Sequence, residues 1–386
     1  MRAAIAGVGM TRFGKCQGTP LKQLAAEATL AACRDAGVDT AAIDAAFVSN
    51  SLAGLITGQE AVRAQTVLAP IGIRGVPVMS VENACASGST ALWLAIRAVT
   101  SGEARCALAL GVEKMSHPDR ARTMTALMSG AMDAEAVCAS GGQVGGNFME
   151  VYAEEVRHHM EKFGSTIEDF AAVAVKNHEH GSLNSLAQYR DRYTLEEVLN
   201  SPMVAFPLTR LMCSPIGDGA AAVLVLPETA DRSAPVVLAS TLRSGSVGLT
   251  EEVNDATLTA RNAYEQAGLG PADIDVAEVH DAAAPAEIFA YEDLGFAARG
   301  DGPRLVRDGI TAIGGRLPVN TSGGLESRGH PIGATGLAMT TEIVLQLRRD
   351  AGERQVADAR VGLVHNMGGY VLESTAACSI HILAAR

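Results

Sequence analysis

Residues 36–48, Ala36-Gly37-Val38-Asp39-Thr40-Ala41-Ala42-Ile43-Asp44-Ala45-Ala46-Phe47-Val48, and residues 267–279, Ala267-Gly268-Leu269-Gly270-Pro271-Ala272-Asp273-Ile274-Asp275-Val276-Ala277-Glu278-Val279, are two versions of one segment. The Ala-Gly, the Ile-Asp and the closing Val match at a constant offset of 231 (36 to 267). In each copy a helix-like stretch runs into the Ala-Gly, and glycine is the residue expected just past a helix end. A short apolar run follows the Ile-Asp, as in a buried strand. Downstream, Gly88-Ser89-Thr90-Ala91-Leu92 pairs with Gly333-Ala334-Thr335-Gly336-Leu337 at an offset of 245 (88 to 333). Each opens a long helix-like stretch, through Ala98 and through Leu347. The common order and similar spacing indicate an internal duplication.

Apolar strand-like runs alternate with helix-like segments along both copies, which predicts two α/β halves with mostly parallel sheets. The runs include Ala3–Val8, Ala45–Val48, Ala107–Gly111, Ala220–Leu226, Val236–Ala239 and Val361–Val364. From about Lys114 to Pro215 the chain is richer in Met, His and charge and has no counterpart in the second copy. It reads as an insertion, a lid or a substrate-binding region. The expected organisation is a first half over 1–113, an insertion over 114–215, the end of the first half over 216–234, and a second half over 235–386.

Composition narrows the function. Of 386 residues 48% are hydrophobic but only 4% aromatic, so the core is built mostly of Ala, Val, Leu and Ile. The net charge of −12 and the lack of a Lys/Arg run argue against nucleic acid and anionic membranes. An anionic substrate would need a local basic patch, for which Lys176, Arg190 and Arg210 are candidates, though all three could equally be solvated surface. No apolar stretch is long enough to span a bilayer. The N-terminal run suits a first strand rather than a signal peptide, and the C-terminus carries no peroxisomal address. A cytoplasmic location is expected. Seven cysteines (16, 33, 85, 106, 138, 213 and 378) are odd in number and form no CxxC pair, so neither a zinc framework nor any metal site is expected.

Cys85 follows the strand-like Val76–Val81 and enters a helix through small residues. A cysteine at a helix N-terminus is expected to have a lowered pKa, and the small neighbours leave room for an acyl group. A buried small residue in a tight turn would look the same locally. His330 stands in Gly329-His330-Pro331-Ile332-Gly333, a glycine-rich helix start, and mirrors Cys85 at the offset of 245. A pseudo-two-fold axis would bring the two together, and a Cys–His pair can perform covalent acyl transfer. A helix-capping contact is the alternative for His330. His280 and His365 each end a strand-like run, where polar residues of α/β sheets commonly line a site; a capping or structural role is open for each. Met124, Met128 and Met132 could line an adaptable apolar pocket or belong to a core or dimer contact.

Taken together, Asn83-Ala84-Cys85-Ala86-Ser87-Gly88, His280-Asp281, Ser322-Gly323-Gly324, Gly329-His330-Pro331-Ile332-Gly333-Ala334-Thr335-Gly336 and His365-Asn366 occur in the order of a thiolase. The chain resembles the sterol carrier protein X type, with support from Val175-Lys176-Asn177-His178, Tyr193–Val198, Pro207–Pro215 and Asp218–Ala222. The resemblance implies a five-layered α/β/α/β/α fold of duplicated halves with an inserted loop domain. It also implies a homodimer or a dimer of dimers, and coenzyme A as co-substrate with no permanently bound cofactor. Cys85 would be the acylated nucleophile, activated by His330, and His280 would hold a water in an oxyanion hole. The N–H groups of Cys85 and the Gly368-Gly369 turn would form a second hole.

One departure stands out. The second cysteine of thiolases lies in a C-terminal CxG motif or, in the sterol carrier type, in HDCF; here these positions read His365-Asn366-Met367-Gly368 and Ala282. Cys378 is expected inside the last strand. Thioester α-proton removal still needs a base, so His280, His330 or His365 must serve. The HDA motif resembles a branch of bacterial and archaeal thiolases that pair with a small zinc-ribbon/OB-fold protein, which makes such a subunit an expected partner. The leading expectation is thiolysis of a 3-ketoacyl-CoA, or the reverse Claisen condensation. Acyl transfer to a non-CoA carbon acceptor, a retro-aldol lyase and a non-catalytic lipid-binding or scaffold subunit are the alternatives.

Overall fold

The computed structural model describes residues 2–129, 148–230, 233–371 and 374–386. The strands are β1 (Ala3–Met10), β2 (Ala45–Ser49), β3 (Val78–Val81), β4 (Ala107–Glu113), β5 (Met203–Ala205), β6 (Leu208–Thr209), β7 (Gly219–Pro227), β8 (Val236–Ser244), β9 (Val276–Val279), β10 (Val361–Val371) and β11 (Ser374–Ala384). The helices are α1 (Leu21–Ala36), α2 (Ala53–Thr57), α3 (Arg63–Leu68), α4 (Ser87–Ser101), α5 (Arg120–Ser129), α6 (Met149–Phe163), α7 (Ile167–Ser182), α8 (Leu195–Leu199), α9 (Asp255–Ala267), α10 (Pro285–Asp293), α11 (Gly302–Arg307) and α12 (Thr335–Arg348). Cys138 and Met132 lie outside the described residues, as does the side chain of Met128.

The duplication is visible element by element. Helices α1 and α9 end in left-handed Gly37 and Gly268, followed by 3-10 turns at Thr40–Ala42 and Pro271–Asp273 and then by β2 and β9. All keep the offset of 231. At the second repeat the elements differ from the motif match. The 3-10 turns Ala84–Ala86 and Ile332–Ala334, and the helices α4 and α12 that follow, align at 248 (87 to 335) rather than 245. By element Cys85 therefore corresponds to Gly333, and His330 lies three residues upstream of that position.

Strand order is β3-β2-β4-β7-β1-β8-β11-β10-β9, the halves meeting where β1 passes β8 at Ala4 and Val236. The expectation of mostly parallel pairing is corrected. β2 runs parallel to β3 and β4, and β10 to β9, while the remaining neighbours are antiparallel. The reason is connectivity. Only two residues separate β10 from β11, and a parallel pair needs a crossover of a dozen or more.

Three apolar clusters fill the spaces between layers. One joins α4 and α12 to the sheet strands of both halves, through Leu92, Ile96, Leu337, Ile343, Val225 and Val276. The others pack α1 and α3 on the outer face of the first half, and α7, α9 and α10 on that of the second. The result is helices, sheet, two central helices, sheet, helices: five layers, with the starts of α4 and α12 buried at the centre.

Candidate active site

Glycines let the two central helices meet. A Cβ on Gly88 would approach the backbone of Gly333 and Gly336 at 3.1–3.2 Å, and one on Gly336 would lie 2.2 Å from Ser89 Oγ. Ahead of α4, the turn carrying Cys85 is held by its own polar atoms. Asn83 N–H donates to Ser87 Oγ at 2.8 Å, whose hydroxyl donates to the Ala84 carbonyl at 2.6 Å, and Ala84 takes a φ of +46°. Such left-handed geometry in a non-glycine residue is uncommon. The turn places Cys85 against Gly368 of β10, where a Cβ would meet the Asn83 carbonyl at 2.3 Å.

His330 reaches the same point from the other half. Its Nε2 lies 3.2 Å from Cys85 Sγ and its Nδ1 lies 2.7 Å from Thr335 Oγ1. The Thr335 hydroxyl donates to the Pro331 carbonyl at 3.0 Å, so it accepts from Nδ1–H, and Nε2 is left as acceptor for the thiol proton. The loop before His330 includes a π-helical turn at Gly324–Arg328. It is anchored by the buried Arg328–Glu278 pair at 2.9 Å and by Leu325 N–H to Asp281 Oδ1 at 3.0 Å. Thus Glu278 and Asp281, on either side of His280, hold the segment that carries His330.

His280 stands beside His330, ring centroids 5.3 Å apart. Asn366 Nδ2 donates to His280 Nδ1 at 3.1 Å, while Ser89 Oγ donates to Asn366 Oδ1 at 3.0 Å. His280 Nε2 therefore carries the proton. His365 is 1% exposed, and neither ring nitrogen has a hydrogen-bond partner among the described residues. Cys85, His280, His365, Gly368 and Gly369 line one cavity of about 430 Å³, along with Tyr152, Phe289 and Tyr370. Thus the structure brings together Cys85, His330, His280 and His365, with both glycines.

Electrostatics corrects the expectation of a low-pKa thiol. Cys85 opens onto the cavity but sits deep in the protein, and burial pushes its thiol up to about 12. Glu113 adds to the rise, and the N–H groups of Cys85 and Gly369 oppose it without prevailing. Burial pushes His330 down to about 3, with the Arg328 guanidinium adding to the fall, and pushes His365 down to about 4. His280 is held well below its ordinary value, again mainly by burial. The resting pair is a neutral thiol and a neutral imidazole. Tyr152, held well above its ordinary value by burial and then by Cys85, keeps its proton.

Several groups were not assigned roles from sequence. Glu113 accepts from the N–H groups of Ser51, Leu52, Ala53 and Gly333 at 2.8–3.0 Å, tying the start of α2 and the turn before α12 to β4. Its only signal was its place at the end of a strand-like run. Thr335 and Asn366 sit inside the recognised motifs, but their hydrogen bonds appear only in three dimensions. Lys176, a candidate for CoA phosphates, is buried, bonded to Glu287 at 2.6 Å and to the Val319 carbonyl at 2.8 Å, so it is not available to an anion. Arg190 and Arg210 are exposed away from the cavity. Cys378 is buried in β11 opposite Met367, and neither it nor Ala282 lines the cavity. Nor does Met124.

The thiolase N-terminal domain matches residues 3–229 and the thiolase C-terminal-like domain matches residues 246–381. An acetyl-CoA acetyltransferase of Methanothermobacter thermautotrophicus is 44% identical over 95% of this chain and 96% of its own length. Human sterol carrier protein 2 is 37% identical over 95% of this chain and 70% of its own. Among solved structures, the Ltp2-ChsH2(DUF35) aldolase superposes with a TM-score of 0.82 and 28% identity, covering 100% of this chain and 98% of that one. The chain belongs to the thiolase family, as an acyltransferase similar to the sterol carrier type.

Proposed function

We propose that the protein interconverts a 3-ketoacyl-CoA plus CoA with two shorter acyl-CoA molecules through an acyl-Cys85 intermediate. The observation that carries this reading is the 3.2 Å contact of Cys85 Sγ with a His330 Nε2 fixed as acceptor by Thr335, open to a cavity of about 430 Å³. In the acyl-transfer half, His330 moves the proton between Cys85 and the thiol of CoA as the thioester bond exchanges. In the carbon–carbon half, His365 moves the proton between the α-carbon and the Cys85 sulfur as the C–C bond forms or breaks. His365 is assigned here because His330 is engaged with Thr335 and Cys85, and His280 with Asn366, whereas both His365 nitrogens are unpartnered in the cavity. The His280 Nε2–H serves one carbonyl oxygen. The N–H groups of Cys85 and Gly369 serve the other, with Gly368 allowing the close approach. Because the thiol and imidazole rest neutral, proton transfer accompanies attack rather than preceding it.

The insertion serves the substrate side, a reading supported by Phe148, Val151 and Tyr152 lining the cavity. The protein acts as a cytoplasmic homodimer, and the likeness to an aldolase named together with a DUF35 protein supports a small partner subunit. The same likeness, with the absent second cysteine, supports a second reading as a retro-aldol lyase that forms no acyl-enzyme.

Intact-protein mass spectrometry after incubation with a panel of acyl-CoA thioesters separates the two. An acyl adduct mapping to Cys85 and absent in Cys85→Ser supports the thiolase reading; no adduct from any thioester, with or without a co-purified partner, moves the assignment to the lyase. His365→Gln is expected to keep the adduct while losing exchange of the acetyl-CoA methyl protons with deuterated solvent. Retained exchange would move the base to another histidine.

A further inference from the structure

Three soft or borderline donor atoms converge at the site. Cys85, His280 and His330 each present one ligand atom, all within 4.8 Å of one another. The thiol sulfur and His330 Nε2 are already 3.2 Å apart. Tetrahedral zinc, with Zn–S of about 2.3 Å and Zn–N of about 2.0 Å, needs donor separations of about 3.3–3.5 Å. Shifts of about an ångström reach that spacing.

The supporting shell already suits a metal ligand at His330 and does so at His280 once the Asn366 amide turns, since a ligating histidine ordinarily donates its other ring N–H to a hydrogen-bond acceptor. His330 Nδ1 donates to Thr335 Oγ1, which leaves the Nε2 lone pair facing the sulfur. The other nitrogen of His280 is bonded to Asn366, whose amide is held in turn by Ser89. Both histidines are buried, so their orientations are fixed, and the sulfur opens on the cavity, which provides an entry path.

We propose that Cys85 Sγ, His330 Nε2 and His280 Nε2 form a three-ligand zinc site whose fourth position opens to the cavity, and that zinc bound there reversibly blocks the thiol. The proton count is closed. Cys85 loses its thiol proton to solvent as the S–Zn bond forms. His280 moves its proton from Nε2 to Nδ1, and the Asn366 amide turns so that Oδ1 accepts from Nδ1 and Nδ2 donates to Ser89 Oγ. One proton leaves per zinc bound. Metal and thioester then compete for the same sulfur. The inhibitory consequence rests on Cys85 being the nucleophile, whereas the site itself does not.

The test is a spectroscopic titration of the chelator-treated protein with Co²⁺, followed by Zn²⁺. One equivalent is expected to give the visible bands of a tetrahedral ion and a thiolate-to-cobalt charge-transfer band, both removed by zinc. Proton release, from calorimetry in buffers of different ionisation enthalpy, should be one per metal. Cys85→Ala should lose the charge-transfer band, and Asn366→Leu should weaken binding about 10–100-fold. Cys16→Ala, away from the site, should change neither, and circular dichroism checks that each variant is folded. Zinc should also slow alkylation of Cys85 by iodoacetamide in the wild type. A folded wild type that shows no thiolate band, or a Cys85→Ala protein that keeps it, overturns the proposal. Because none of these readouts uses turnover, failure of the acyl-enzyme reading would leave them intact.

Discussion

At the scale of single residues, the chemistry of Cys85 depends on two opposing influences. The helix start and the N–H groups around the sulfur favour thiolate, but burial and Glu113 favour the thiol, and burial wins. With the thiol pushed up to about 12, alkylation of Cys85 by iodoacetamide should still be rising with pH above about 10, where an ordinary thiol of pKa about 8.5 has already levelled off. A plateau below 8 would mean that the resting site holds a thiolate. Thr335 sets the tautomer of His330, so Thr335→Val should lower kcat by about 10²-fold while leaving KM and the fold nearly unchanged. Steady-state kinetics beside thermal melts check this, and a loss confined to stability would reduce Thr335 to a helix contact. Cys85, His280, His330 and His365 were all legible in sequence, because chemistry-bearing side chains beside glycine or at strand ends are conspicuous. Glu113, Thr335 and Asn366 were not. Their roles are hydrogen bonds to residues far along the chain, and nothing local signals them.

At the scale of elements, α4 and α12 start in contact because Gly88 and Gly336 have no side chains. Gly336→Ala should destabilise the protein by about 1–3 kcal/mol, the usual result of forcing a methyl group into a filled core. Urea unfolding measures it, and an unchanged midpoint would show that the helices can separate freely. The π-helical loop before His330 is fixed by Arg328, whose guanidinium is buried against Glu278. Arg328→Met leaves the Glu278 carboxyl without its cation and should cost about 3–5 kcal/mol. If the variant keeps its wild-type unfolding midpoint, the ion pair does not anchor this loop. The first repeat predicted its own elements well, since every boundary near Gly37 and Gly268 follows from local capping and burial. The second was misaligned by three residues. The glycines shared by the two motifs serve different purposes, the Gly333 turn in one copy and the α4 interior at Gly88 in the other.

At the scale of the molecule, the sheet ends in β3, a four-residue strand whose outer edge has no partner among the described residues and whose Met79 is 47% exposed. An open apolar edge is a natural place for a second copy to add. Light scattering is therefore expected to give twice the 39.9 kDa chain mass, and Met79→Lys to shift the equilibrium toward monomer. A wild type that stays monomeric at high concentration would remove the dimer from the proposal. Among the described residues no helix is long and apolar enough to cross a membrane.

The sequence by itself determined the duplication, the α/β alternation and which side chains are candidates for the site. These follow from periodicity, capping and residue chemistry, all written locally along the chain. Only the tertiary structure decided the mixed strand pairing, the neutral state of the Cys85–His330 pair and the freedom of His365. Each of these depends on which distant groups share a volume from which water is excluded, and burial there outweighs the helix terminus that the local sequence made plain.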